Sequence, residues 1–326
     1  MKNRTPVSPE ILFKGRPGDP RLGQWVNTEQ PAAGSAHFVI LGYPDDQGVR
    51  LNRGRPGAAG GPDGFRKHFY KLTQPADHPW QGRVVLEDWG NSVVTQDLTQ
   101  TQAIAETNAA ELAATGATGI LLGGGHDFAA PSFKGLRTSH PKARWGLINI
   151  DPHLDTRERE GIHLHSGNPF RELVESGKLD GRDLIQFGAR RNRNSASSWS
   201  FCKERGVSIL PLEDLRTGRG NVVQAFARAV AALSKRCRFF GVTIDLDSCS
   251  DAEGTSAAPV LGFSAWELCE FARIAGRARG VRYLELAEGA PALDPSERIG
   301  RIAAEIAYAF IESNSDRSVK NSKKRG

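Results

Sequence analysis

The sequence predicts one three-layer α/β/α domain built on an eight-stranded, mainly parallel sheet. Two observations carry this. Short β-prone apolar runs alternate with longer stretches that repeat apolar residues at helical spacing. Such alternation favours a parallel sheet with helices on both faces. The runs are also apolar nearly throughout, not at every second position, as strands covered on both sides are.

Taken in order, residues 1–35 are rich in Pro, Gly and charge and read as an irregular N-terminal arm. The domain proper spans 36–312. Its strands are expected at His37–Gly42, Arg83–Leu86, Gly119–Leu122, Trp145–Ile150, Leu184–Phe187, Val207–Leu210, Phe239–Leu246 and Arg282–Leu286. Helical patterns fill Thr101–Thr115, Asn221–Lys235, Ala265–Ala278 and Glu297–Ile311. Residues 313–326 are polar and basic, with too little apolar surface to bury, and read as a disordered tail. No internal repeat or linker divides the chain.

The 326 residues include 39% apolar and 25% charged ones, ordinary globular usage. The net charge is +6, but the tail holds five basic residues against one acid. The body is nearly neutral, so the basicity gives no reason to expect a nucleic-acid surface. No apolar run approaches the roughly 20 residues that span a bilayer. The N-terminus lacks the apolar core of a signal peptide. Cys202, Cys237, Cys249 and Cys269 show no CxxC spacing and read as reduced thiols. The expectation is a soluble cytoplasmic protein.

Three strands end in metal-ligand residue types. Gly123-Gly124-Gly125-His126-Asp127 follows the third, Asp151-Pro152-His153-Leu154-Asp155 the fourth, and Asp245-Leu246-Asp247 closes the seventh. Ligand sites of open α/β sheets lie beyond the carboxyl ends of the strands. In an extended segment, residues two apart face the same way. Asp151, His153 and Asp155 therefore share a direction, as do Asp245 and Asp247, with His126 as a sixth donor. Four carboxylates and two imidazoles exceed a structural zinc site. They suit a pair of harder ions such as Mn²⁺, and the four negative charges balance two divalent cations. A dimetal site lowers the pKa of bound water, which points to hydrolysis.

These motifs, with Ser166-Gly167-Asn168-Pro169-Phe170, Glu288-Gly289-Ala290-Pro291-Ala292-Leu293-Asp294 and the stretch Gly48–Ala58, resemble the arginase, agmatinase and formimidoylglutamase family from about Phe38 to Ile311. The resemblance implies an arginase-like fold and two Mn²⁺ per subunit. It implies that Asp151 and Asp245 bridge the ions, that His126 and Asp155 complete one, and that His153 and Asp247 complete the other. It casts Asp155 as partner of the attacking hydroxide's proton and Glu288 as the acid that pairs with a cationic amidine. It also implies a homo-oligomer.

Within the family, GGGHD, SGNPF and the 48–58 stretch resemble the formimidoylglutamase branch. Ser166 stands where arginases carry a shuttling His. A dicarboxylate substrate calls for cationic donors, and Arg157, then Arg190 and Arg191, are the candidates, because guanidinium binds carboxylate bidentately. Ser166 and Asn168 complete the expected substrate contacts, and His163 or His165 is a candidate shuttle. Arginase, agmatinase and guanidino-acid hydrolysis are the alternatives, and a non-catalytic metal-binding relative is one of another class. Pro152, the segment Asp251–Ser256 and Ala290-Pro291 depart from the family pattern.

Overall fold

The computed structural model describes residues 3–322, apart from positions 14, 28–34, 160, 162 and 219. Among the described residues, nine strands form one sheet. They are β1 (Arg4–Thr5), β2 (Ala36–Gly42), β3 (Val84–Ser92), β4 (Thr118–Leu122), β5 (Trp145–Ile150), β6 (Leu184–Phe187), β7 (Ser208–Leu210), β8 (Phe239–Asp245) and β9 (Val281–Ala287). The order across the sheet is β1-β3-β2-β4-β9-β8-β5-β6-β7. Strands β2 to β9 pair in parallel, and β1 lies antiparallel to β3.

Side-chain alternation along the strands builds two cores. On one face, Phe38, Ile40, Val242 and Ile244 pack with Phe65, Phe226, Phe271 and Phe310. Those rings come from helices Gly61–Phe69, Val222–Arg236, Ala265–Arg277 and Arg298–Ser322. On the other, Val39, Leu41, Leu121 and Leu147 meet Leu112, Phe133, Phe170 and Phe201. Helices Leu98–Ala114, Ala129–Leu136, Pro169–Glu175 and Ala196–Glu204 supply these. The helix starts are locally encoded. Ser264 and Glu267 form a reciprocal capping box, and Asp97 and Asn221 each cap a backbone N–H two or three residues on.

Three expectations need correction. The sheet has nine strands, not eight, because β1 is two residues long and leaves no periodic signal. The arm is not wholly irregular. Leu22 and Val26 are buried, and Trp25 lies against Trp80, which meets the Tyr308 ring at a tilt. The expected boundary at 312 falls inside the last helix, which runs to Ser322 with Ser313, Asn314 and Ser315 buried. The disorder expected at 323–326 lies outside the described residues.

Candidate metal centre

The six expected ligands sit at the carboxyl ends of β4, β5 and β8. With β9, which ends just before Glu288, these are the four adjacent central strands of the sheet. The glycine run after β4 lets His126 approach. A Cβ on Gly124 would lie 1.8 Å from the Asp45 carbonyl oxygen, so a side chain there has no room.

His126 is fully buried, and its Nδ1 lies 3.2 Å from Asp151 Oδ2, 3.1 Å from Asp155 Oδ2 and 3.2 Å from Asp245 Oδ2. The donor atoms of these four residues all fall within 4.8 Å of one another. A second set, His153, Asp245 and Asp247, meets the same limit, so Asp245 belongs to both. Asp151 reaches the second set with its other oxygen, Oδ1, 3.3 Å from His153 Nδ1. Two overlapping donor sets, linked by carboxylates that face both ways, are the layout of a dinuclear centre.

The route to convergence differs from the extended zigzag expected. The strands end at Ile150 and Asp245, and the chain then turns. Asp151 Oδ1 accepts the His153 N–H at 2.6 Å, and Asp245 Oδ1 accepts the Asp247 N–H at 2.7 Å. Each strand-terminal aspartate thus closes an Asx turn on the residue two ahead. The ligands meet because of these turns. Asp155 and Glu288 hold left-handed backbone, with φ of 47° and 64°. Such conformations cost free energy for non-glycine residues and collect at functional sites.

The electrostatics show which ligands the donor set suits. Burial pushes the Asp245 carboxyl well above the usual range, with Asp247 and Asp151 adding to it. Burial does the same to Glu288, helped by Asp245 and Asp247, and lifts Asp155 to about 6. Burial would depress the His126 pKa, but Asp151, Asp155 and Asp245 hold it well above the ordinary imidazole value. His126 Nε2 lies 2.9 Å from Thr243 Oγ1. With Nε2 turned to Thr243, Nδ1 is the nitrogen that faces the three carboxylate oxygens, whose negative charge favours a cation at that point, whether a proton or a metal ion. Nδ1 is buried without a hydrogen-bond partner. Clustered buried carboxylates and imidazoles of this kind fit two oxygen- and nitrogen-seeking divalent ions.

Beneath the ligands runs a row of polar side chains. Glu285, Thr243, Asn149 and Gln186 are register partners across β9, β8, β5 and β6. Thr243 and Asn149 stand two residues before Asp245 and Asp151, on the same face. Asn149 donates to Asp151 Oδ2 at 3.3 Å and to Gln186 Oε1 at 2.8 Å, and Gln186 holds the Leu154 carbonyl at 2.8 Å. Glu285 accepts from Ser132 at 2.8 Å. The strand alternation in the sequence signals this row, although it is not among the expected site residues.

A cleft of about 400 Å³ opens over the centre. Asp155, His153, Asp245, Asp247 and Glu288 form its floor, and Arg157, Ser166 and Asn52 line its walls. Ser166 Oγ accepts from the Asn52 amide at 3.1 Å, so the 48–58 stretch does border the site. Two expected substrate residues lie elsewhere. Asn168 is fully buried, and its Oδ1 accepts the His165 N–H at 2.9 Å. Arg190 turns away to Glu213 at 2.8 Å and the Leu261 carbonyl at 3.0 Å. Arg191 likewise pairs with Asp214. Acids in the helix Leu212–Thr217, which follows β7, capture both guanidiniums. Arg193, not anticipated, lines the cleft instead. His163 and His165 border an adjoining groove rather than the cleft itself.

Comparison with known proteins agrees with this geometry. The family model described as the arginase family matches residues 36–312. The chain belongs to the arginase family. Relatives within it include the formimidoylglutamase of Citrobacter koseri, 30% identical over 94% of this chain and 98% of that protein. That of Salmonella paratyphi B is 31% identical over 93% and 96%. Trypanosoma cruzi formiminoglutamase, solved with Mn²⁺, superposes with a TM-score of 0.81 at 27% identity, covering 92% of this chain and 99% of that one. Formimidoylglutamase from Bacillus subtilis shares the arginase-family fold, with a TM-score of 0.81 at 20% identity over 95% and 94%.

Proposed function

We propose that this enzyme hydrolyses N-formimidoyl-L-glutamate to L-glutamate and formamide, with two Mn²⁺ per subunit. The observation that carries the reading is the pair of donor sets sharing Asp245, with Glu288 beside them in one cleft. The formimidoylglutamase relatives supply the substrate.

His126, Asp151, Asp155 and Asp245 would hold one ion, and His153, Asp245 and Asp247, with Asp151 beside them, would hold the other. When bound, the ions would supply a water of lowered pKa for attack on the formimidoyl carbon. Glu288, held by the His126 N–H at 2.9 Å, faces the cleft and pairs with the cationic amidine. Asp155 accepts the proton that the attacking water loses. Water oxygen adds to the formimidoyl carbon. The bond from that carbon to the glutamate nitrogen then breaks, and this nitrogen leaves as an amine after taking a proton. The imino nitrogen stays on carbon, giving formamide. Ser166 offers a hydroxyl on the cleft wall for hydrogen bonding to substrate.

We place the enzyme in the cytoplasm as a homo-oligomer. All four cysteines are free and buried, which suits a reducing compartment. No helix among the described residues is long and apolar enough to cross a membrane. Exposed Val260, Leu261 and Trp266 leave apolar surface for self-association.

The test is a product assay on Mn²⁺-reconstituted protein offered formimidoylglutamate, arginine, agmatine and guanidinobutyrate. Formamide and glutamate from the first are expected. Urea from any other, with the first untouched, overturns the substrate. Tight Mn²⁺ binding without turnover of any of them overturns the catalytic reading.

A further inference from the structure

We infer that Arg157 and Arg193 form a two-guanidinium clamp that selects a dicarboxylate substrate. This rests on the proposed function and names the residues that set its specificity. Both side chains line the cleft over the metal ligands. Arg157 lies two residues past Asp155, and Arg193 lies on the turn after β6. Among the described residues, neither guanidinium has a protein partner. Its neighbours are committed. Arg55 donates to the Ser256 and Thr255 carbonyls, Arg190 to Glu213 and Arg191 to Asp214.

Both are held in place through their backbones. The Arg157 N–H donates to the Gly167 carbonyl at 2.9 Å. A Cβ at Gly167 would lie 2.8 Å from Arg157 Cδ, so glycine there leaves room for the arginine stem. Beside Arg193, the Asn194 side chain donates to the Pro152 and Arg190 carbonyls at 2.9 and 2.8 Å and accepts the Leu154 N–H at 2.7 Å. The segment carrying Arg193 is thereby pinned to the segment carrying Asp151, His153 and Asp155.

The groups left free in the cleft then match those of the substrate. The four ligand carboxylates balance two divalent ions. Of the four arginines that line the cleft, Arg53 and Arg55 are engaged by other protein groups, which leaves Glu288 and the Arg157 and Arg193 guanidiniums, one acid and two bases, to meet the charged groups of a substrate. Formimidoylglutamate carries one amidinium and two carboxylates. Arginine and guanidinobutyrate carry one carboxylate and agmatine none, so each leaves a guanidinium unmatched.

The experiment compares wild type with Arg157→Met and Arg193→Met on three substrates. These are formimidoylglutamate, N-formimidoyl-4-aminobutyrate without the α-carboxylate, and N-formimidoyl-2-aminobutyrate without the side-chain carboxylate. Both residues are exposed, so Mn²⁺ content and circular dichroism should equal wild type. Losing a hydrogen-bonded charge pair is expected to raise KM about 10- to 100-fold with kcat little changed. Each variant should show that rise on formimidoylglutamate and no rise on the one monocarboxylate that lacks its partner group. A KM rise equal on all three substrates, a fall in kcat alone, or no change overturns the clamp while wild-type turnover upholds the substrate. Wild type that prefers agmatine overturns both readings.

Discussion

Thr243→Val exchanges one buried hydroxyl for a methyl and leaves every metal ligand in place. Thr243 is fully buried, so water cannot replace the lost oxygen. His126 Nε2 then loses its acceptor at 2.9 Å. An orphaned buried donor costs about 1–3 kcal/mol. Groups that orient metal-bound histidines are worth about 10- to 100-fold in metal affinity or activity. At about 1.4 kcal/mol per tenfold, the two magnitudes agree. The ring contributes to one donor set alone, so one ion should weaken and the other should not. Calorimetric titration of apoprotein with Mn²⁺ measures both sites, and activity against Mn²⁺ concentration gives the functional reading. The variant should need about 10- to 100-fold more Mn²⁺ for half activity and recover most of its rate at saturation. Thr243→Ser keeps the oxygen and should stay near wild type. Two unchanged Mn²⁺ affinities in Thr243→Val would refute the tautomer argument. Equal weakening of both sites would refute the assignment of His126 to one set.

Asp245→Asn removes the carboxylate shared by both donor sets. It should lower activity by more than the roughly 100-fold typical of a supporting residue and leave fewer than two ions bound by elemental analysis. Chelation should lower Tm, because the ions compensate buried carboxylates. Tm should climb with the logarithm of free Mn²⁺ above its Kd, as ligand linkage requires, and a Tm indifferent to Mn²⁺ would contradict the site. Far from the cleft, Arg66 is fully buried and pairs with Asp88 at 2.8 and 3.0 Å. It also donates to the Gly90 carbonyl at 2.8 Å. Arg66→Met leaves the buried Asp88 carboxylate without its cationic partner, with only the Tyr70 hydroxyl and the Gly90 N–H among the described residues still donating to it, and should cost about 3–5 kcal/mol in urea denaturation, with no selective effect on KM.

Strand positions were legible because each central strand is a short apolar run bounded by turn formers. Trp145–Ile150 and Leu184–Phe187 match residue for residue. The ligands were legible because acids at the end of an apolar strand are costly without a partner. Other parts were hidden for physical reasons. Asp151 and Asp245 turn the chain with their own carboxylate oxygens, an effect of side-chain hydrogen bonding that residue spacing does not display. Arg190 and Arg193 are three residues apart and chemically identical. Only the acids at 213 and 214 decide which of the arginines near them remain free for a ligand.

The polar row under the ligands shows how far the alternation rule reaches when followed backward. From Asp151 and Asp245, two residues back along the same face lead to Asn149 and Thr243. The register then carries the row to Gln186 and Glu285. A polar atom on a sheet covered by helices must find a partner. Asn149 finds Asp151 and Gln186, Thr243 finds His126, and Glu285 finds Ser132. Each such contact holds a ligand, or a neighbour of one, in a fixed orientation. An apolar strand that carries a polar residue two places before a ligand therefore encodes the support of the site as well as the site.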